Sequence, residues 1–170
     1  MDKVARLSAA QRRDLFSEAA ARLGMTPAVV EKDFWVTWVL DRLFAAPALA
    51  QLLMFKGGTS LSKAYGLIER FSEDVDLILD WRVLGGDDPL AERTRTQQNR
   101  LNAEIDQQAT AYIAGPLLAQ IAAALAEVCQ CGIGADDPQV IDVRYPAAFA
   151  DTYLRPEVRL EIGPRGLVAP

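Results

Sequence analysis

The sequence predicts an α+β (mixed α/β) fold, a small mixed sheet flanked by helices. Three observations predict it. Two stretches, 9–44 and 90–130, carry apolar residues at helical spacing or dense helix formers. Four short segments, 52–55, 74–81, 140–145 and 157–162, read as strands. Glycine- and aspartate-rich turns, GGDDP at 85–89 and GIGADDP at 132–138, separate the two kinds. The 170 residues suit one domain with N-terminal helices over 1–47, a sheet core over 48–170 and a helical insertion at 90–130.

Taken in order, Ser8 with Gln11 forms a capping box, and Leu15, Phe16, Ala19, Ala20 and Leu23 follow at helical spacing until Gly24 stops the run. Thr26-Pro27 restarts a helix that reaches about Phe44, and Pro47 ends it. Its stripe, Val30, Phe34, Trp35, Trp38, Val39 and Leu43, is broad enough to be well buried. The tryptophans fit core better than base-stacking platforms. Leu52 to Phe55 is a short apolar strand before two glycines. From Gly58 the spacing turns helical, with Leu61, Ala64, Tyr65 and Ile68 on one face. Asp74 to Trp81 is the next strand. A polar helix then spans 90–114. Its Arg93, Arg95 and Arg100 suit a solvated face, with an RNA-facing role as the alternative. Gly115-Pro116 breaks that helix, and an Ala/Leu helix over 116–130 belongs to the core. The last two strands are joined by a loop holding Pro146 and Pro156.

Composition removes several kinds of chemistry. Hydrophobic residues make up 51% and charged residues 24%, which is ordinary globular composition. No apolar run reaches the ~18 residues of a membrane span and no signal peptide opens the chain, so the expected compartment is the cytoplasm, away from membranes. There is no histidine, which excludes Ser-His-Asp, Cys-His and His-metal schemes. Cys129 and Cys131 lack partners for a zinc site and read as two reduced thiols at a helix end. The net charge of −5 attracts no nucleic acid globally.

What remains is carboxylate chemistry. Residues i and i+2 of a strand share a face about 6.6 Å apart, so Asp74 and Asp76 stand together while Val75, Leu77 and Leu79 point into the core. Two like charges side by side raise each other's pKa, and a divalent cation such as Mg²⁺, with its taste for oxygen ligands and phosphate, relieves them. Two solvated aspartates on an exposed strand are the plainer alternative. Gly57-Gly58 lets backbone approach a ligand, and the helix start that follows offers free N–H groups to phosphate. Thr59, Ser60 and Ser62 add hydroxyls, and Lys56 and Lys63 add charge. An ordinary capped turn is the alternative there. Together, a glycine turn and an Asp-x-Asp strand place a phosphate cradle beside a metal pair, as a nucleoside triphosphate requires.

KGGTSLSKAYGLIERFSEDVDLIL (56–79) resembles the signature of the AbiEii-type toxin nucleotidyltransferases of the DNA polymerase β-like superfamily. EKDFWVTWVL (31–40) and YLRPEVRLEIG (153–163) resemble segments before and after that signature. The resemblance implies a single nucleotidyltransferase-like domain, with Gly57, Gly58 and Thr59 opening the nucleotide site and Ser60 and Lys63 lining it. It implies that Asp74 and Asp76 bind metal, Mg²⁺ or Mn²⁺. Glu161 falls where the superfamily carries a third, usually aspartate, carboxylate that serves metal and catalysis. A surface ion pair with Arg159 is the other reading of Glu161. The implied function is transfer of a nucleoside monophosphate from an NTP to RNA, tRNA or protein. The implied setting is a bacterial toxin–antitoxin or phage-defence system with a cognate antitoxin. Family members run longer, so the chain is expected to lack their C-terminal helical domain. The surface thereby bared favours self-association into a homo-oligomer. The competing function is an inactive, truncated toxin that binds a nucleotide or a partner. Phosphotransfer to a small aminoglycoside-type acceptor would use the same site.

Overall fold

The structure, a computed structural model, describes residues 1–56, 74–125 and 127–164. The expected phosphate cradle (Gly57, Gly58, Thr59, Ser60 and Lys63) and the helix expected from Gly58 lie outside the described residues.

The N-terminal helices begin and end where their capping residues place them. Helix α1 spans Asp2–Ala5 and α2 spans Ala9–Leu23. Ser8 Oγ accepts from the Gln11 N–H at 3.3 Å, and Gln11 Oε1 accepts from the Ser8 N–H at 3.1 Å, so two of the four orphan donors at the helix start are satisfied. Gly24 closes α2 at φ 67°, where a Cβ would be strained. Helix α3, Pro27–Ala45, is capped by Thr26 with proline at its first turn. Pro47 does more than end α3. It starts a further short helix, α4 (Pro47–Leu52), because a fixed φ and a missing N–H cost nothing at a first helical position.

Five strands form one sheet: β1 Leu53–Lys56, β2 Asp74–Leu79, β3 Gln130–Ile133, β4 Val140–Arg144 and β5 Glu157–Gly163. Their order is β1-β2-β5-β4-β3, with β2 and β5 parallel and the other pairs antiparallel. The α+β expectation holds. Strand β3 was not expected, since a helix was read through 130 and a loop from 132. Pairing of Cys131 with Val143 and Gly132 with Asp142 draws this glycine-containing piece into the sheet, where its backbone finds ladder partners. Strand β2 also stops short, at Leu79, and a 3₁₀ turn covers Trp81–Leu84.

The helical insertion differs in two ways. Helix α5 covers Arg95–Tyr112, not 90–114, because a capping box between Thr94 and Gln97 starts it there. Gly115-Pro116 does not break it. A π-turn over Ile113–Leu117 carries the chain into α6, Leu118–Ala124. The π register skips the hydrogen bond that proline cannot donate, so the helix absorbs Pro116 instead of stopping. Helix α6 gives way at Leu125, well before 130.

The sheet's apolar face, including Val75, Leu77, Leu79, Val158, Leu160 and Ile162, shares one core with Trp35, Val36, Val39 and Leu43 of α3 and with Ile113, Leu117, Ile121 and Leu125. Each fully buried aliphatic side chain contributes about 1.5–3 kcal/mol. Trp35 and Trp38 are buried as expected, and Trp35 stacks on Tyr145 with centroids 5.4 Å apart and planes at 12°. Three charged side chains in this region are also buried: Arg12, Glu31 and Lys32. Glu31 accepts from the N–H groups of Ala148 and Phe149, Lys32 Nζ donates to the Arg155 carbonyl, and Arg12 donates to the carbonyls of Leu7 and Pro146. They tie the β4–β5 connection to the N-terminal helices and so fix the approach to β5. Among the described residues no helix is long and apolar enough to cross a membrane.

Candidate active site

Alternation along β2 and β5 sorts their side chains by face. In β2, Val75, Leu77 and Leu79 are buried while Asp74, Asp76 and Ile78 are partly exposed. In β5, Val158, Leu160 and Ile162 are buried while Arg159, Glu161 and Gly163 look outward. The parallel register puts Asp76 beside Glu161 and Asp74 beside Arg159. Neighbouring strands lie about 4.8 Å apart, so three acidic positions occupy one small area of sheet. Lys56, at the end of β1, is the register partner of Asp76 on the other side.

The electrostatics follow from that placement. Burial raises the Glu161 carboxyl above its ordinary value, and the charges of Asp74 and then Asp76 raise it further. The surface ion pair between Glu161 and Arg159 is not formed. Arg159 Nη1 instead donates to Asp136 Oδ2 at 3.1 Å, and Arg159 Nε faces Asp142 Oδ1 at 3.7 Å. That second separation is too long for a hydrogen bond. Asp142 is itself raised, by burial first and by the Glu157 charge second.

Asp76 and Glu161 also line a cleft of about 520 Å³, together with Lys56 and Gly163. Its other side is Asp106 and Thr110 of α5 with residues 136–139 of the β3–β4 connection, and Val140 of β4 adjoins Glu161. Sequence reasoning missed this second side. The DDP turn was legible only as a loop, and nothing local shows that it returns to lie beside β5. Its conformation is well defined. Gln139 Nε2 donates to Asp106 Oδ1 at 2.8 Å and to Thr110 Oγ1 at 3.2 Å. The Ile162 N–H donates to the Gln139 carbonyl at 3.0 Å. A Cβ on Gly134 would meet Val140 Cβ at 3.1 Å, a tight contact that Val140 would have to give way to by a few tenths of an ångström.

The donor chemistry suits a hard divalent cation. Mg²⁺ takes one or two carboxylates and completes its shell with water and phosphate, and Asp76 with Glu161 offers such a pair. Neither carboxylate makes a hydrogen bond or ion pair to another described residue. No group of three or more acidic or thiol side chains among the described residues is arranged to hold a metal ion. Asp74, two residues along β2, stands on the same face but does not line the cleft. The cysteines are free and half-buried, Cys129 just before β3 and Cys131 within it, not at a helix end.

The family model described as nucleotidyl transferase AbiEii toxin, type IV TA system, matches residues 38–170. No curated protein and no solved structure matches the chain.

Proposed function

Because the chain belongs to the AbiEii nucleotidyl transferase toxin family of type IV toxin–antitoxin systems, we propose that it transfers a nucleoside monophosphate from an NTP to an acceptor hydroxyl on RNA, tRNA or protein, the hydroxyl oxygen bonding to the α-phosphorus as pyrophosphate leaves and the hydroxyl proton is released. One observation carries the reading. Asp76 and Glu161 stand side by side on adjoining parallel strands, at the side of a cleft of about 520 Å³. Asp76 and Glu161, with Asp74 beside them, would hold Mg²⁺ or Mn²⁺. Such an ion, when bound, neutralises phosphate charge on both the attacking and leaving sides. Lys56 adds a positive charge at the same rim. Gly57, Gly58, Thr59, Ser60 and Lys63 follow it directly in sequence, and we assign them to the triphosphate, whose oxygens suit backbone N–H groups and hydroxyls. The buried strand faces beneath keep the two carboxylates in fixed register.

The test is incorporation of label from each of the four NTPs, in Mg²⁺ and in Mn²⁺, by the full chain and by Asp76→Asn and Glu161→Gln. Incorporation by the unaltered chain and background levels in both variants are expected. Equal incorporation by all three ends the reading. A second reading, a partner- or nucleotide-binding protein without catalysis, draws on the lack of a three-carboxylate metal group among the described residues. It predicts no incorporation under any condition, with binding of a nucleotide or of the antitoxin retained.

A further inference from the structure

We propose that Arg159 is a positioning residue for this transfer: by holding Asp136 it fixes the β3–β4 connection as the wall of the cleft beside Glu161. The proposal rests on the transfer reading above.

Arg159 does not line the cleft, whereas Asp136 does. The guanidinium stands on the carboxylate face of β5, two residues before Glu161 and in register with Asp74. From there it reaches across β4 to Asp136 at 3.1 Å, in a charge-assisted bond, and lies against Asp142 of β4 on the way. Its side chain is 23% exposed and that of Asp136 is 67% exposed, so the link is shielded from water and salt on the arginine side alone. The backbone bond from the Ile162 N–H to the Gln139 carbonyl already ties this wall to β5, and side chains hold it at two further points. Gln139 fastens one side to α5 through Asp106 and Thr110. Arg159 fastens the other to the strand that carries Glu161. The wall beside the carboxylates is therefore held from β5 as well as from α5, and a ligand entering the cleft meets it preformed. Loss of the link leaves the carboxylates in place and loosens only what faces them. The consequence falls on substrate positioning and not on the chemical step.

The experiment uses the full chain with Arg159→Gln, Arg159→Lys, Asp136→Asn and the Arg159→Gln/Asp136→Asn double variant. Two readouts are taken: amide hydrogen exchange across residues 134–140, and KM and kcat for the NTP. An ion pair with one partner exposed is worth about a threefold to fivefold effect. Arg159→Gln and Asp136→Asn should each speed exchange across 134–140 and raise KM by about that factor, with kcat changing much less. The double variant should be no worse than either single one, since both cut the same link. Arg159→Lys should recover part of the loss. Unchanged exchange in both single variants overturns the proposal. So does a fall in kcat for Arg159→Gln with Asp136→Asn silent, the pattern of a direct phosphate contact. Should no variant and no unaltered chain transfer nucleotide, the transfer reading fails by itself, and the exchange data still decide whether Arg159 holds the wall.

Discussion

Replacing Glu31 by glutamine tests how the β4–β5 connection is secured. Glu31 is 1% exposed, and its two oxygens accept from the Ala148 N–H at 2.8 Å and the Phe149 N–H at 3.0 Å. Trp35 Nε1 lies at 3.5 Å from the first oxygen. Glutamine keeps the shape but offers one acceptor. Its amide nitrogen would meet a backbone N–H, donor against donor. One N–H is then left unsatisfied in the interior, at about 1–3 kcal/mol, and the other loses its charged partner. The sum is a loss of about 2–4 kcal/mol. At roughly 2–4 °C per kcal/mol for a chain of this size, the midpoint of melting falls by about 4–16 °C. Urea denaturation followed by circular dichroism measures the free energy, with an unchanged m-value as the sign that the native fold is retained. A variant within about 0.5 kcal/mol of the unaltered protein would refute the reasoning, because it would mean that the two N–H groups find water or another acceptor.

Two further outcomes are expected. Burial pushes Cys129 up to about 12, with the Cys131 charge adding to it, and burial pushes Cys131 up to about 11, against an ordinary 9.0. The thiolate population at pH 8 is then lower by at least about 100-fold, and iodoacetamide should label the native chain correspondingly slowly and both cysteines promptly once it is unfolded; prompt labelling of the native chain contradicts this. Asp151 is held below its ordinary 3.8 by the N–H groups of Leu154 and then Tyr153, so its contribution to stability is present above that value and is lost as pH falls through its lower, folded value. Asp151→Asn should therefore lower stability slightly above that acid window, leave it unchanged below, and flatten the profile across it, which melting scans from pH 2 to 7 would show.

The local chemistry of the chain was enough for much of this architecture. Ser8 and Gln11, Thr26 and Pro27, and Gly24 mark helix ends with contacts that span only a few residues. The alternation in DVDLIL and EVRLEIG separates charged from apolar faces for the same reason: a strand's period belongs to its own backbone. Thr94 and Gln97 carried an equally local signal, and it places the start of α5 five residues later than periodicity alone suggested. The carboxylate pair was half legible. Asp74 and Asp76 were visible as a pair, and Glu161 entered through resemblance.

Pairing between distant segments decided the rest. Strand β3 exists because β4 offers it a ladder, and a four-residue piece with a glycine has no periodicity to announce that. Asp76 meets Glu161 only through the parallel register of β2 and β5. Arg159 turned from the adjacent Glu161 to Asp136 because the β3–β4 connection folds back within reach, and the same return builds the second side of the cleft. A hydrogen bond along one turn is decided by a handful of torsions. A contact between strands is decided by the free energy of closing the loops between them against the core they bury, and that balance is a property of the whole fold.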